Sequence, residues 1–272
     1  MLKENLEEPT NSESELANYE GVDKVIVSHE ANEIYKQQLE QQGKGLHCRL
    51  TSLNEKIGGF KPGTLTVISG HTGQGKSLLA CSLTNDFELL GKKSLWFSLE
   101  MGLGILPRFK ILPEFYLPKE INQCTVQWVR QRIHEAVVKY KIDAVFIDHL
   151  GYLETAEHMA HRGNSLMIGD MVRFLCRVSK EFNVAVFLLA HTKDTQENRD
   201  RPGSEDIRDS GLIRREADNI LMIWRMLVPD TDPKDKVYSD YSMISLEKHR
   251  AMGHTCKVKV KWNREMSHFV EE

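Results

Sequence analysis

Eight residues constrain this chain more than any others: Gly70-His71-Thr72-Gly73-Gln74-Gly75-Lys76-Ser77, with TLTVISG before them and LLACSLTNDFELL after. An apolar β-branched run leading through glycines into a helical stretch predicts a buried strand, a tight loop and a helix N-terminus. The glycines let successive backbone N–H groups turn inward, and the following helix adds its positive dipole end, so the loop is built to hold phosphate. Gly70, Thr72, Gly73, Gln74, Gly75, Lys76, Ser77 and Leu78 are the expected binding residues. Lys76 is placed to neutralise β- and γ-phosphate oxygens and the Ser77 hydroxyl to ligate Mg²⁺, which makes ATP or another nucleoside triphosphate, with Mg²⁺, the implied cofactor.

Short apolar runs then alternate with stretches of helical period, the signature of a parallel α/β sheet. The predicted strands are Leu65–Ser69, Ser94–Leu99, Ala144–Ile147, Val184–Ala190, Asn219–Trp224, Met243–Leu246 and Lys257–Trp262. The predicted helices are Ser77–Leu90, Val126–Tyr140 and Leu166–Glu181, the last with Met167, Met171, Phe174, Leu175 and Val178 on one face. The final strands follow one another without long crossovers, so an antiparallel addition to the sheet is expected.

Charge divides the chain unevenly. Residues 1–20 carry one Lys and six Glu, a balance of -5 within a total of -3, which leaves +2 for the rest. They are expected to be a disordered acidic tail, residues 21–44 a linker region with a short helix, and 45–272 one nucleotide-binding domain. No apolar run reaches the roughly 18–20 residues of a bilayer span, and the acidic start resembles no targeting peptide. A cytoplasmic protein without a membrane partner is therefore expected. The five cysteines are scattered without metal or redox spacing and are expected to be reduced.

Three further residues belong at the sheet edge that faces the loop. AVFIDH ends in Asp148, where a carboxylate can hold Mg²⁺ or merely cap the next turn; beside a phosphate loop the metal role is preferred. Glu100 follows the run SLWFSL and could orient an attacking water, although a Glu after a strand is commonly a surface residue. His191 ends VAVFLLAH and could sense a terminal phosphate, or serve structure alone.

Taken in order, GHTGQGKS, FSLEM, VFIDHLGYL, LLAHTK, RPGSEDIRDSGLIRREAD and LEKHRAMGHT resemble the motor domain of DnaB-type replicative helicases over about residues 45–270. GGFKPGTLTVISG looks like that family's first strand. The resemblance implies an α/β fold of the RecA-like P-loop NTPase kind, with a mostly parallel central sheet, antiparallel edge strands and helices on both faces. It implies that Glu100 is the catalytic base and His191 the phosphate sensor, a His here being similar to phage and mitochondrial ring helicases. Lys248 and Arg250 look like the pair that reaches a neighbouring subunit's γ-phosphate, Arg250 as arginine finger.

Lys193–Glu216 resembles the DNA-facing loop and the motif after it, with Lys193, Arg199, Arg201, Arg208 and Arg214 as expected DNA contacts. Seven acids in the same segment leave a solvated face open as the alternative. Lys257, Lys259 and Lys261 read better as protection of an edge strand. Two departures stand out: residues 102–125 are a short Pro-containing stretch where the family has a longer helical insertion, and there is no room for the family's N-terminal domain.

The implied function is an ATP-dependent ring translocase or helicase on single-stranded DNA, a homo-oligomer expected to be hexameric, with a primase or loader as candidate partner. The alternatives are a RecA-family recombination or regulatory ATPase that binds without unwinding, and a protein that uses ATP only to assemble.

Overall fold

The computed structural model describes residues 13–21, 24–42, 45–121, 124–149, 164–192, 201–207, 210–228 and 237–272. The chain divides into two compact units, Met1–Gly43 and Lys44–Glu272. In the first, α1 spans Glu13–Ala17 and α2 spans Ser28–Gln42. Residues 1–12 of the expected acidic tail lie outside the described residues.

The second unit is built on an eight-stranded sheet in the order β2-β3-β4-β1-β5-β6-β7-β8. Its strands are β1 (Leu65–Gly70), β2 (Ser94–Ser98), β3 (Ala144–Asp148), β4 (Ala185–His191), β5 (Asn219–Leu227), β6 (Tyr238–His249), β7 (Cys256–Asn263) and β8 (His268–Glu271). The first five in spatial order pair parallel, and β6, β7 and β8 extend the sheet antiparallel. All seven expected strands form, and the antiparallel addition is where the closely spaced runs put it.

The parallel strands are apolar on both faces because both faces are covered. Alternate residues feed two cores: Ile68, Trp96, Phe146 and Phe187 on one side, Val67, Phe97, Val145 and Val186 on the other. The first core is roofed by α3 (Thr51–Ile57) and α4 (Lys76–Leu89), the second by α5 (Val126–Tyr140), α6 (Asn164–Phe182) and α7 (Ser210–Glu216). On α5 the buried positions Val129, Ile133 and Ala136 recur at helical spacing, and the Thr125 hydroxyl caps the helix by accepting from the Trp128 N–H at 3.1 Å. On α6, Met171, Leu175 and Val178 are buried and Phe174 packs at the margin, as the periodicity predicts; the Met167 side chain lies outside the described residues.

Three aromatic rings in register tie the sheet under α4. Phe146 stacks on Trp96 at 4.9 Å and on Phe187 at 4.6 Å between centroids, and the Trp96 indole N–H donates to the Thr84 hydroxyl at 3.0 Å. Polar residues of α4 fasten both ends of the unit. Ser82 accepts from the Phe269 N–H, Asn85 donates to the Ser267 carbonyl, and Asp86 pairs with the Arg49 guanidinium at 3.0 Å.

At the other edge, residues 102–125 begin as a 3-10 turn over Gly102–Arg108, and Tyr116 then bridges to β2 through hydrogen bonds at 2.7 and 2.8 Å. The shortened segment thus covers part of an exposed strand edge. The lysines of β7 need a correction. β8 pairs along β7 from Val260 to Asn263, so β7 is an edge only over its first half. Lys259 instead lies over the Tyr241 ring at 3.9 Å and pairs with Glu272 at 2.8 Å.

Phe146 is fully buried two residues before Asp148. Phe146→Ala is expected to cost about 3–5 kcal/mol in chemical denaturation, the usual penalty for an aromatic cavity. Val138→Ala, at an exposed position of α5, should stay within about 0.5 kcal/mol.

Candidate functional site

The loop after β1 can turn only because its first residue is glycine. A Cβ on Gly70 would lie 2.2 Å from the Ile223 carbonyl oxygen of neighbouring β5, a contact no side chain survives. At its far end Gly75 adopts φ +105° as the N-cap of α4, and its carbonyl accepts from the Leu79 N–H at 2.8 Å. Two side chains brace the crest. The Gln74 carbonyl oxygen accepts from the Arg225 N–H of β5 at 2.7 Å, and His71 Nδ1 meets the Thr192 hydroxyl at 2.7 Å. Thr72 and Gly73 are exposed at the tip, while Leu78 packs on the core and leaves only its backbone to a ligand.

Lys76 is buried, and its ammonium donates to the Gly70 and His71 carbonyls at 2.9 and 3.0 Å. Burial lowers its pKa to about 8, against the pull of Asp148 and Glu100. Asp148, at the tip of β3, is buried, and burial raises its carboxyl above the usual carboxylate range while a hydrogen bond from Ser77 opposes the shift. The Ser77 hydroxyl donates to Asp148 Oδ2 at 3.0 Å. Adjacent ligands on an octahedral Mg²⁺ with bonds near 2.0–2.1 Å stand roughly 2.9 Å apart, so this oxygen pair fits the ion.

In-register pairing brings two more groups to the same edge. Ser98 of β2 pairs with Asp148, and His191 of β4 with Gly70. Glu100 follows β2, with its N–H donating to the Asp148 carbonyl at 3.1 Å. Its carboxylate Oε2 lies 3.9 Å from His149 Nε2 and 4.0 Å from His191 Nε2. The two imidazoles meet edge to face at 4.5 Å between centroids. Sequence reasoning misses His149, whose one signal is that it follows Asp148 directly, a second histidine ending a strand as His191 does.

Lys248 and Arg250 lie at the opposite end of the sheet. Thr66 of β1 pairs with Asn219, and Asn219 with His249, so this end is four residues, roughly 13 Å at 3.3 Å per residue, from Gly70. Lys248 Nζ donates to the Arg214 and Ala217 carbonyls, both at 2.6 Å, and Arg250 donates to those of Arg215 and Glu216. Both cations thus cap the C-terminus of α7, where helix carbonyls lack intrahelical donors. Arg250 Nε also stands 3.5 Å from Asp218. Of the expected DNA contacts, Arg201 is exposed, and exposed Arg214 groups with Arg215 and Lys248 around a pocket of about 360 Å³. Lys193, Arg199 and Arg208 lie outside the described residues.

A glycine phosphate loop opening a helix, a buried Ser and Asp at one strand edge, and a parallel sheet extended antiparallel define a P-loop nucleotide-binding domain of the RecA type. The profile of the DnaB-like helicase C-terminal domain matches residues 45–108 and 114–271, and the chain belongs to that family. The interruption falls within the shortened 102–125 segment.

Among relatives, the replicative DNA helicase DnaB of Mycoplasma pneumoniae is 26% identical over 268 residues, covering 83% of this chain and 56% of its own length. That of Haemophilus influenzae is 24% identical, with 83% and 55% covered. The chain therefore spans about half the length of these relatives. In fold it is similar to a DnaB-like replicative helicase solved for its interactions with primase, with TM-score 0.73, 20% identity and 93% and 68% of the two chains covered. It is likewise similar to an ATPase domain solved by itself, with TM-score 0.75, 19% identity and 91% and 99% covered. Among the described residues no helix is long and apolar enough to cross a membrane.

An anion seated in the loop stabilises the charged form of Lys76, so its binding must raise the pKa from about 8. Below pH 7 the amine is protonated with or without ligand, and no proton moves. At pH 8.5 calorimetry in two buffers of different ionisation enthalpy should register uptake of part of a proton with pyrophosphate. Affinity should fall as pH rises further, and Lys76→Met should show no uptake.

Proposed function

We propose that this chain is the motor domain of an ATP-driven ring translocase or helicase on single-stranded DNA, of the replicative kind. The observation that supports this most is the placement of Lys248 and Arg250. They stand at the end of the sheet remote from their own phosphate loop, where only another subunit's nucleotide could meet them. Six copies in a head-to-tail ring would supply such a partner to every site.

In this reading residues 45–272 are the motor and 21–44 the linker. The loop from Gly70 to Leu78 holds the triphosphate, and Lys76 offsets the charge of its β and γ groups. Ser77 and Asp148 would hold Mg²⁺, which when bound withdraws charge from the phosphate oxygens. Glu100 orients a water and accepts its proton as the oxygen attacks the terminal phosphorus and the bridging P–O bond breaks, giving ADP and phosphate. His191 at the end of β4 contacts the γ-phosphate and loses that contact on hydrolysis. Arg250 of one subunit stabilises the charge developing on the next.

Lys193, Arg199, Arg201, Arg208 and Arg214 are the proposed DNA contacts, each weak alone and repeated around the ring. The protein is placed in the cytoplasm with a primase or loader as partner, by analogy with its relatives.

Glu100→Gln keeps the shape and removes the base. ATP affinity should stay within about threefold while turnover on single-stranded DNA falls at least ~100-fold. Weak binding with a normal maximal rate would instead make Glu100 a structural residue.

A further inference from the structure

The edge that carries the phosphate site holds a second cluster of different chemistry. Glu100, His149 and His191 each offer one ligand atom, and these atoms all lie within 4.8 Å of one another. They come from three neighbouring strand ends, after β2, β3 and β4, so the sheet and not a single loop sets their spacing. Both imidazoles are partly buried and the carboxylate is more open, at 19%, 29% and 42% exposure for His149, His191 and Glu100.

We infer that Glu100, His149 and His191 form a binding site for a zinc-type transition-metal ion in the nucleotide-free protein. Donor type and distance both point to such an ion. Mg²⁺ takes oxygen ligands, which Ser77 and Asp148 supply, whereas two imidazole nitrogens with one carboxylate suit Zn²⁺ and its neighbours in the first row. Three atoms 3.9, 4.0 and at most 4.8 Å apart have a common centre roughly 2.5 Å from each, against about 2.0–2.2 Å for Zn–N and Zn–O bonds. Inward shifts of about half an ångström close the gap, within reach of small χ rotations. Three protein ligands leave a fourth position open, and one carboxylate on a divalent ion leaves a net positive charge there. Water or an anionic oxygen, including one from a phosphate, would complete the coordination.

The consequence for turnover rests on the roles proposed above. A Glu100 carboxylate bound to zinc has given up the lone pair with which it would accept a proton, and His191 has given up the nitrogen that would contact the terminal phosphate. The ion would hold the motor inactive until it is removed. Metal binding itself requires neither role.

The test is therefore spectroscopic. Chelator-treated, nucleotide-free protein is titrated with Co²⁺, which reports its own ligand field, and then with Zn²⁺ to displace it. One equivalent of Co²⁺ should bind with visible d–d bands and without thiolate-to-metal charge transfer. His149→Ala and His191→Ala should each weaken binding at least ~10-fold. His134→Ala, whose ring stacks on Phe182 at 5.2 Å on another part of the fold, should leave it unchanged. Circular dichroism establishes that each variant is folded, and His149→Gln serves if the alanine variant is not.

A thiolate band would move the ion to a cysteine and overturn the site, as would undiminished binding in folded His149 variants or no binding at all. Zinc inhibition of ATP turnover is measured separately, each protein against its own uninhibited rate. Co²⁺ binding without zinc inhibition would leave the site standing and remove the role assigned to Glu100.

Discussion

Parallel pairing in register is the constraint on which the rest depends. β2, β3, β4 and β1 are aligned so that Ser98 sits beside Asp148 and His191 beside Gly70. Every parallel strand must return by a crossover over one face, so all of them end at the same edge and their C-terminal residues meet there. Glu100, Asp148, His149, His191 and the glycine loop are far apart in the chain and neighbours in space for this reason alone. The antiparallel strands run the other way, and β6 carries Lys248 to the far end of the sheet by the same logic. A phosphate site and a pair of cations that cannot serve it are thus two results of one topology.

The electrostatics of the site describe a place waiting for charge. Burial pushes Lys76 down and Asp148 up, each towards its neutral form, although the two groups attract one another. Desolvation is therefore the larger effect for both, and their mutual attraction does not offset it. A phosphate beside the lysine and a divalent cation beside the carboxylate would restore both charges together, which links anion binding to ion binding. The far end is in a different state. Lys248 and Arg250 already cap α7, so a subunit that used Arg250 on its neighbour would have to release part of that cap.

Much of this was legible in the residues. The phosphate loop, the strands before and after it and the limits of α5 follow from local signals: glycines at fixed positions, β-branched runs, a Thr cap and helical spacing. What was missed lacks such signals. β8 has four residues and exists through pairing with β7, Trp262 against Phe269 and the hydrogen bond from Phe269 to Ser82. The short helix α3 starts without a side-chain cap and is held by burial of Leu53 and Ile57. The seat of Lys248 on carbonyls 31–34 residues away is invisible to any local pattern. His149 joins the cluster only when β3 and β4 are known to be neighbours.

The central claim is that a complete site needs two subunits, one giving the phosphate loop and the other Arg250. It is tested most directly by mixing two variants, Lys76→Ala with a defective loop and an intact Arg250, and Arg250→Ala with the reverse. ATP turnover is followed against mixing ratio on single-stranded DNA, with co-assembly checked by sedimentation. Each variant alone should be nearly inactive, with a loss approaching ~10³-fold for Arg250→Ala, and activity should pass through a maximum at intermediate ratios. Mixtures that co-assemble yet stay inactive at every ratio would contradict the shared site and favour a regulatory ATPase acting within one chain.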